Sequence, residues 1–158
     1  MNELIDLLQQ RLVWQGSKKV PYQKNCSTGY GELDHYLDGG FPKGIIEVQS
    51  DNGIGELRLL LPQLKNALVE ERLIVFIAPF GIISSQAIAA QGIELNKVLV
   101  VYPNKQQEAL WAAEQCLRSG ACHSVVMWFD QALEIHQVKR LQTAVSYTHL
   151  TLPTNREV

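Results

Sequence analysis

The chain has 158 residues, of which 46% are hydrophobic and 19% charged, with a formal net charge of -2; this is the profile of a globular domain with a buried core. The near-neutral balance excludes a chain-wide positive field that recruits nucleic acid, so DNA contact would need a local basic patch. No apolar run reaches the roughly 18 residues that cross a bilayer, and the first residues lack a secretory signal, so we predict a cytoplasmic protein without a membrane span.

Residues 1–26 are predicted to form an amino-terminal helix and a linker. The stretch "NELIDLLQQRL" carries leucine and isoleucine at helical spacing, and the polar "QGSKKVPYQKN" follows it. Lys18, Lys19 and Lys24 make a small basic stretch in this linker. A solvated linker is the simpler interpretation of these lysines, and direct DNA contact stays open.

Residues 27–145 are predicted to form one α/β domain. "STGYGELDHYLDGG" reads as a short helix with Ser27 or Thr28 as its N-cap. Four apolar β runs follow, "IIEV", "LIVFIA", "KVLVVY" and "SVVMWF", and helical segments separate them. Strands that are apolar throughout and joined by helices indicate a parallel sheet with helices on both faces. Pro62 implies a kink or a late start in the first of these helices.

Residues 146–158 are predicted to be a non-native, unstructured tail. The sequence "SYTHLTLPTNREV" has no helical period and is broken by Pro153. It resembles a tail found on unrelated proteins translated from assembled sequencing reads. We therefore expect a truncated protein whose native chain continues differently past about residue 145.

The turn after "IIEV" has the layout of a phosphate-binding loop without its chemistry. A Walker A loop, G-x-x-x-x-G-K-[ST], uses lysine for the β and γ phosphates and a hydroxyl for Mg²⁺. Here Ser50 falls at the first glycine, Gly55 at the second, Glu56 at the lysine and Leu57 at the hydroxyl. A carboxylate about 4 Å from a phosphate charge is repelled by about 4 kcal/mol at an effective dielectric near 20.

The order of these pieces resembles the RecA core over roughly residues 27–135. The resemblance rests on the "TG…LD…L…GG…P.G" lead-in, on the strand, glycine turn and helix, and on "IAAQGIELNKVLVVYPNKQQEALWAAEQCLRSGACHSVV". The runs "LVWQG" and "GIGELRLLLPQL" resemble a narrower group of SOS-response proteins, ImuA and its relative SulA. The lead-in before the glycine turn favours ImuA.

The resemblance implies that two further ATPase positions are lost. The RecA glutamate that activates water aligns with Phe80, and the Walker B aspartate aligns with Trp128, two residues before Asp130. We therefore expect no ATPase, no bound nucleotide, no metal and no cofactor. The turn is either a structural one, with Gly53 and Gly55 in positive φ, or a weak anion site built from backbone N–H groups.

The resemblance also implies partners. An ImuA-like adaptor would bind an inactive Y-family-like polymerase subunit, an error-prone replicative polymerase and, as a further candidate, RecA. A SulA-like protein would instead bind the cell division GTPase FtsZ. Cysteines and histidines stand in no metal-ligand spacing, and Trp111 is expected to be half-buried in helix packing.

Overall fold

A computed structural model describes residues 25–51, 53 and 55–151 of the chain, which leaves most of the predicted amino-terminal helix and linker outside the described residues. In chain order its elements are α1 (Gly31–Tyr36), α2 (Glu56–Val69), β1 (Leu73–Ile77), α3 (Ser85–Ala90), a 3-10 turn (Leu95–Lys97), β2 (Val98–Val101), α4 (Gln106–Ser119), β3 (Cys122–Met127) and α5 (Ile135–Thr151).

The described strands form one parallel sheet in the order β2-β1-β3. Ile77 of β1 lies opposite Val101 of β2 and Met127 of β3, so the carboxyl ends of the strands finish level. The central strand reads "LIVFI" and is buried along four of its five residues. A strand with neighbours on both edges and helices on both faces has no solvent-facing side, which explains its unbroken apolar sequence.

The helices divide between the two faces of the sheet. Ile74 and Phe76 point to one face, while Val75 and Ile77 point to the other, and all four are fully buried. On the first face α2 and α3 supply Leu64, Ala67 and Ile88. On the second face α4 and α5 supply Ala109, Ala113 and Leu141. The predicted α/β fold with helices on both faces is confirmed.

The first predicted β run is not a strand. Residues 45–48 have no regular secondary structure, and Ile45, Ile46 and Val48 are 39%, 40% and 43% exposed. A strand needs a hydrogen-bonded neighbour, and the described sheet contains only β2, β1 and β3. The composition of "IIEV" suits a strand, but among the described residues nothing pairs with it.

Pro62 neither delays nor ends its helix, because α2 runs from Glu56 to Val69 through it. The proline lacks the N–H that would bond the carbonyl of Arg58, four residues earlier. The hydroxyl of Tyr30 donates to this carbonyl instead, at 2.9 Å. A residue from the segment before the glycine turn therefore completes the hydrogen bonds of α2 and fixes that segment to the domain.

The predicted N-cap of α1 is wrong. The helix begins at Gly31, and Ser27 and Thr28 instead form hydrogen bonds with a side chain inside it. The backbone N–H and the hydroxyl of Thr28 donate to Asp34 Oδ1 at 2.7 and 2.6 Å, and the Ser27 hydroxyl donates to Asp34 Oδ2 at 2.5 Å. These bonds, the Ser27 and Thr28 hydroxyls foremost, lower the pKa of Asp34 below its usual value.

Helix α5 extends six residues into the segment predicted to be unstructured. It continues to Thr151, and Pro153 lies two residues beyond its end. The residues 146–151 contain neither glycine nor proline, so nothing local stops the helix before that proline. The weak helical period therefore wrongly indicated that this stretch is unstructured. The non-native origin of residues 146–158 stays a prediction.

Candidate functional site

The loop that enters α2 keeps the backbone shape expected from its glycines. Gly53 has a φ of 79° and Gly55 a φ of 103°, both in the left-handed region that other residues avoid. Gly55 is the N-cap of α2, and no side chain caps the helix at that position. The predicted positive-φ turn is confirmed, and the first N–H groups of α2 begin directly after it.

The Glu56 carboxylate occupies this amino terminus from within the chain. Its Oε2 accepts a hydrogen bond from the Gly55 N–H at 3.2 Å. The pKa of Glu56 is lowered, first by its own backbone N–H, next by Trp128, and further by the N–H groups of Gly53 and Gly55. A carboxylate at a helix amino terminus is also favoured by the helix dipole. The negative charge of Glu56 therefore stands where a phosphate loop would hold its ligand.

Trp128 holds the other oxygen of the same carboxylate. Its indole Nε1 donates to Glu56 Oε1 at 3.2 Å. The residue directly follows β3, its backbone N–H donates to the Ile77 carbonyl at 3.1 Å, and its ring packs against Phe76 with centroids 5.9 Å apart. The residues that the RecA resemblance aligns with the Walker A lysine and the Walker B aspartate are therefore hydrogen-bonded to each other.

Sequence reasoning found both positions but missed this hydrogen bond. Glu56 and Trp128 are separated by 72 residues, and each one alone reads only as the loss of a catalytic group. The sequence did contain one indication of this contact, because the two side chains are complementary. An indole N–H can only donate a hydrogen bond, and a carboxylate can only accept one. Two replacements with complementary hydrogen-bonding character at adjacent catalytic positions suggest a contact.

The other two aligned positions offer no oxygen for metal or water. Leu57 packs against the core cluster on the α2 face of the sheet. Phe80, at the position of the water-activating glutamate, lies in the loop after β1 and is 66% exposed. Ser50, at the first glycine position, is exposed in the irregular segment before the turn.

A shallow cleft of about 270 Å³ lies at the carboxyl ends of the three strands. It is formed by residues 78–81 after β1, 103–106 after β2 and 128–130 after β3. Asp130, two residues after Trp128, lines this cleft and lies beyond the end of β3 at Met127. The carboxyl edge is where open α/β sheets place their ligand sites.

The remaining candidate residues show no catalytic grouping. Burial raises the pKa of the Cys116 thiol to about 11, with Cys122 beside it, so Cys116 stays a protonated thiol at neutral pH. Within the described part of the chain, no three histidine, cysteine or acidic side chains are grouped as a metal ion would require. Every helix there is too short or too polar to span a membrane.

Comparison with known proteins gives one family and one related group. A family model described as cell division inhibitor SulA matches residues 44–150. The crystal structure of SulA from Pseudomonas aeruginosa aligns with a TM-score of 0.55 and 27% sequence identity, over 68% of this chain and 92% of that one.

RecA proteins form a second group of relatives. The chain is 30% identical to RecA of Chlorobaculum parvum over 110 residues, which are 68% of this chain and 32% of that protein. RecA of Nostoc sp. is 29% identical over 105 residues. The chain therefore spans about a third of the length of the RecA proteins it matches.

These matches support the SulA and RecA-related group that the sequence resembles, and within it they favour SulA over ImuA. The family match covers α2, the Glu56–Trp128 pair and the whole described sheet. The chain belongs to the SulA family.

Proposed function

We propose that this chain is a non-catalytic, SulA-type inhibitor of cell division that acts in the SOS response to DNA damage by binding FtsZ. The family match and the likeness to SulA of Pseudomonas aeruginosa support the inhibitor over the ImuA-type adaptor. The observation that carries the non-catalytic part is the hydrogen bond between Glu56 and Trp128.

The residues Glu56, Trp128 and Leu57 lack the groups that ATP hydrolysis requires. ATP hydrolysis in the RecA-related fold needs a cation on the phosphates and oxygen ligands for Mg²⁺. The RecA resemblance aligns Glu56 and Trp128 with two of those groups, and Leu57, aligned with the Mg²⁺-binding hydroxyl, packs against the core cluster. Protein binding needs none of these groups, so their loss is compatible with an inhibitor that acts through its surface alone.

The non-catalytic part is tested by steady-state phosphate release from ATP and Mg²⁺. We expect release by the purified chain to equal the buffer background. Glu56→Lys should also show none, because Mg²⁺ coordination and water activation are still missing. Release above background that disappears in Gly55→Arg, a variant that blocks the loop, would show that the site is catalytic.

An ImuA-type adaptor for translesion DNA synthesis is the second candidate. The observation in its favour is the lead-in at residues 25–43, which precedes the region matched to SulA. This lead-in is fixed to α2 by the Tyr30 hydroxyl and by a hydrogen bond from the Gln63 amide to the Ser27 carbonyl. Its partners would be a Y-family-like polymerase subunit, an error-prone polymerase and RecA.

The two candidates are separated by affinity capture of the tagged protein from DNA-damaged cells. Recovery of FtsZ as the stoichiometric partner supports the inhibitor. Recovery of a polymerase complex without FtsZ would contradict the inhibitor and support the adaptor. As a control, the capture is repeated from undamaged cells that express the tagged protein at the same level. The comparison shows which partners bind only after damage.

A further inference from the structure

Two cysteines lie at the junction between α4 and β3. Cys116 is in the last turn of α4, and Cys122 is the first residue of β3. Cys122 is a buried member of the apolar cluster on this face of the sheet, and half-buried Cys116 packs against the same cluster. Trp111, expected to be half-buried, stands instead on the outer face of α4 and is 62% exposed. The Cys116 thiol is therefore directed toward the sheet.

A short turn brings the two cysteines close to each other. Gly120 ends α4 with a φ of 71°, in the left-handed region, and β3 begins two residues later. The Ser119 hydroxyl donates to the Cys116 carbonyl at 2.7 Å and lies 3.9 Å from Cys122 Sγ. The same hydroxyl accepts the Ala121 N–H at 3.2 Å. Ser119 therefore contacts both cysteines and fixes the turn between them.

The Cys122 thiol acts directly on the thiol of Cys116. The pKa of Cys116 is raised to about 11, first by burial and then by Coulombic and hydrogen-bonding interactions with Cys122. Such interactions act between groups within about 6 Å of each other. Rotation about the side-chain bonds can therefore bring the sulfurs to the disulfide distance of about 2.05 Å without a rearrangement of the fold. The third cysteine, Cys26, lies in the lead-in, where its backbone pairs with that of Phe41.

We propose that Cys116 and Cys122 form a reversible disulfide when the chain meets a low-molecular-weight disulfide such as oxidised glutathione. The thiolate of the more accessible Cys116 attacks one sulfur of oxidised glutathione, and one glutathione leaves as its thiolate. The Cys122 thiolate then attacks the Cys116 sulfur of this mixed disulfide and displaces the second glutathione. The two protein thiols lose two electrons and two protons, and the oxidised glutathione becomes two thiols.

The reaction has a characteristic dependence on pH. Because the pKa of Cys116 is raised to about 11, only a small fraction of this group is the reactive thiolate at neutral pH. The rate of disulfide formation should therefore rise about tenfold for each pH unit between about pH 7 and pH 9. The bond would link the last turn of α4 to the start of β3. It does not depend on which partner the chain binds.

Peptide mapping of the full chain tests the pairing directly. Trypsin cleaves after lysine and arginine and so places the three cysteines on separate peptides, 25–43, 106–118 and 119–139. The folded chain is treated with oxidised glutathione, the remaining thiols are alkylated, and the digest is analysed without reduction. We expect 106–118 joined to 119–139, with two hydrogens fewer than their sum, and 25–43 alkylated. Excess dithiothreitol before alkylation should restore both thiols.

Variants test the order of the two steps. Cys122→Ala should abolish the joined peptides and leave Cys116 as the mixed disulfide with glutathione, because no thiol displaces it. Cys116→Ser should leave Cys122 largely reduced, since that residue is only 9% exposed. Cys26→Ser is the matched control and should form the joined peptides at the wild-type rate. Melting curves confirm that each variant is folded, and the mapping of the wild-type chain needs no variant.

Any of three results would contradict the pairing. The first is alkylation of both Cys116 and Cys122 after prolonged treatment of the folded chain with oxidised glutathione. The second is a disulfide that joins Cys26 to either of them. The third is appearance of the joined peptides in urea but not in native buffer, which would show that the fold holds the two thiols apart. A rate that does not change with pH would contradict Cys116 as the attacking group.

Discussion

At the scale of single residues, both oxygens of the Glu56 carboxylate are hydrogen-bonded at the amino terminus of α2. A lysine-to-glutamate change alone would leave a carboxylate beside the amino terminus of α2 without a fixed position. Trp128 supplies that position, since its indole binds one oxygen of Glu56 while the loop N–H of Gly55 binds the other. The charge preference of the helix end is thereby satisfied within the chain.

Glu56→Lys is therefore expected to lower the free energy of unfolding by about 1 kcal/mol, through loss of the helix-end carboxylate and of the indole hydrogen bond. It should also increase the stabilisation by sulfate, because the repelling charge is removed from an otherwise anion-binding loop. Thermal melting with sulfate and with chloride at matched ionic strength measures both effects.

The matched control for this measurement is Glu32→Lys, which changes an exposed carboxylate in the first turn of α1. It should leave the sulfate response as in wild type. Equal sulfate responses of wild type and Glu56→Lys would mean that the loop does not cradle an anion, and that it resembles a nucleotide site in sequence layout only.

A second residue-scale prediction concerns the carbonyl left free by Pro62. Tyr30→Phe removes the hydroxyl that donates to Arg58, so the free energy of unfolding should fall by about 0.5 kcal/mol, the low end for a hydrogen bond because water reaches this partly exposed site. Urea denaturation measures it, with Tyr36→Phe as the exposed control. An equal decrease in the free energy of unfolding for Tyr30→Phe and Tyr36→Phe would contradict this prediction. It would show that water replaces the Tyr30 hydroxyl as the donor to Arg58 without cost.

At the scale of elements, α4 and α5 are linked by the carboxylate of Glu114. Glu114→Gln should lower the free energy of unfolding by about 1–2 kcal/mol, because it leaves two guanidinium groups without their charged acceptor. Arg118→Gln should cost less than about 0.5 kcal/mol, since its partner keeps Arg140 and the lost pair is half-exposed. Equal losses in the two variants, measured by urea denaturation, would contradict this link.

The local sequence pattern predicted most of these elements. It failed where the structure depends on a residue that is distant in the sequence. "LIVFI" and "IIEV" have similar composition, yet only the first is a strand, because hydrogen-bonding neighbours and not side-chain type separate them. Pro62 predicts a kink or a late start, and the hydrogen bond that compensates for its missing N–H comes from Tyr30, which lies 28 residues before its acceptor Arg58. The end of α5 was misjudged because a weak apolar period does not stop a helix without glycine or proline.

The sequence identified the residues of the candidate site but not the hydrogen bond between two of them. The glycine turn, Glu56 and Leu57 were identified from the Walker A pattern, and Phe80 and Trp128 from the resemblance to RecA. The hydrogen bond from Trp128 to Glu56 depends on β3 lying next to β1, with its carboxyl end near the amino terminus of α2, which sequence order alone does not state. The exposure of Trp111 likewise depends on which face of α4 the sheet covers.

At the scale of the whole molecule, the chain has a parallel sheet with helices on both faces and is related to RecA in sequence. Both faces of the sheet are closed by helices, so the core leaves no route to the interior. The described surface includes the shallow cleft at the carboxyl edge of the sheet. Under the proposed function, the chain would act by binding FtsZ through its surface.

Sedimentation of FtsZ polymers assembled with GTP tests this most directly. We expect the pelleted FtsZ to decrease as the purified full chain is added toward an equimolar amount, with the same curve in the presence and absence of ATP. Heat-denatured chain serves as the control. Unchanged polymer at several-fold excess of the chain would contradict division inhibition through FtsZ, and inhibition that requires ATP would contradict the non-catalytic mechanism.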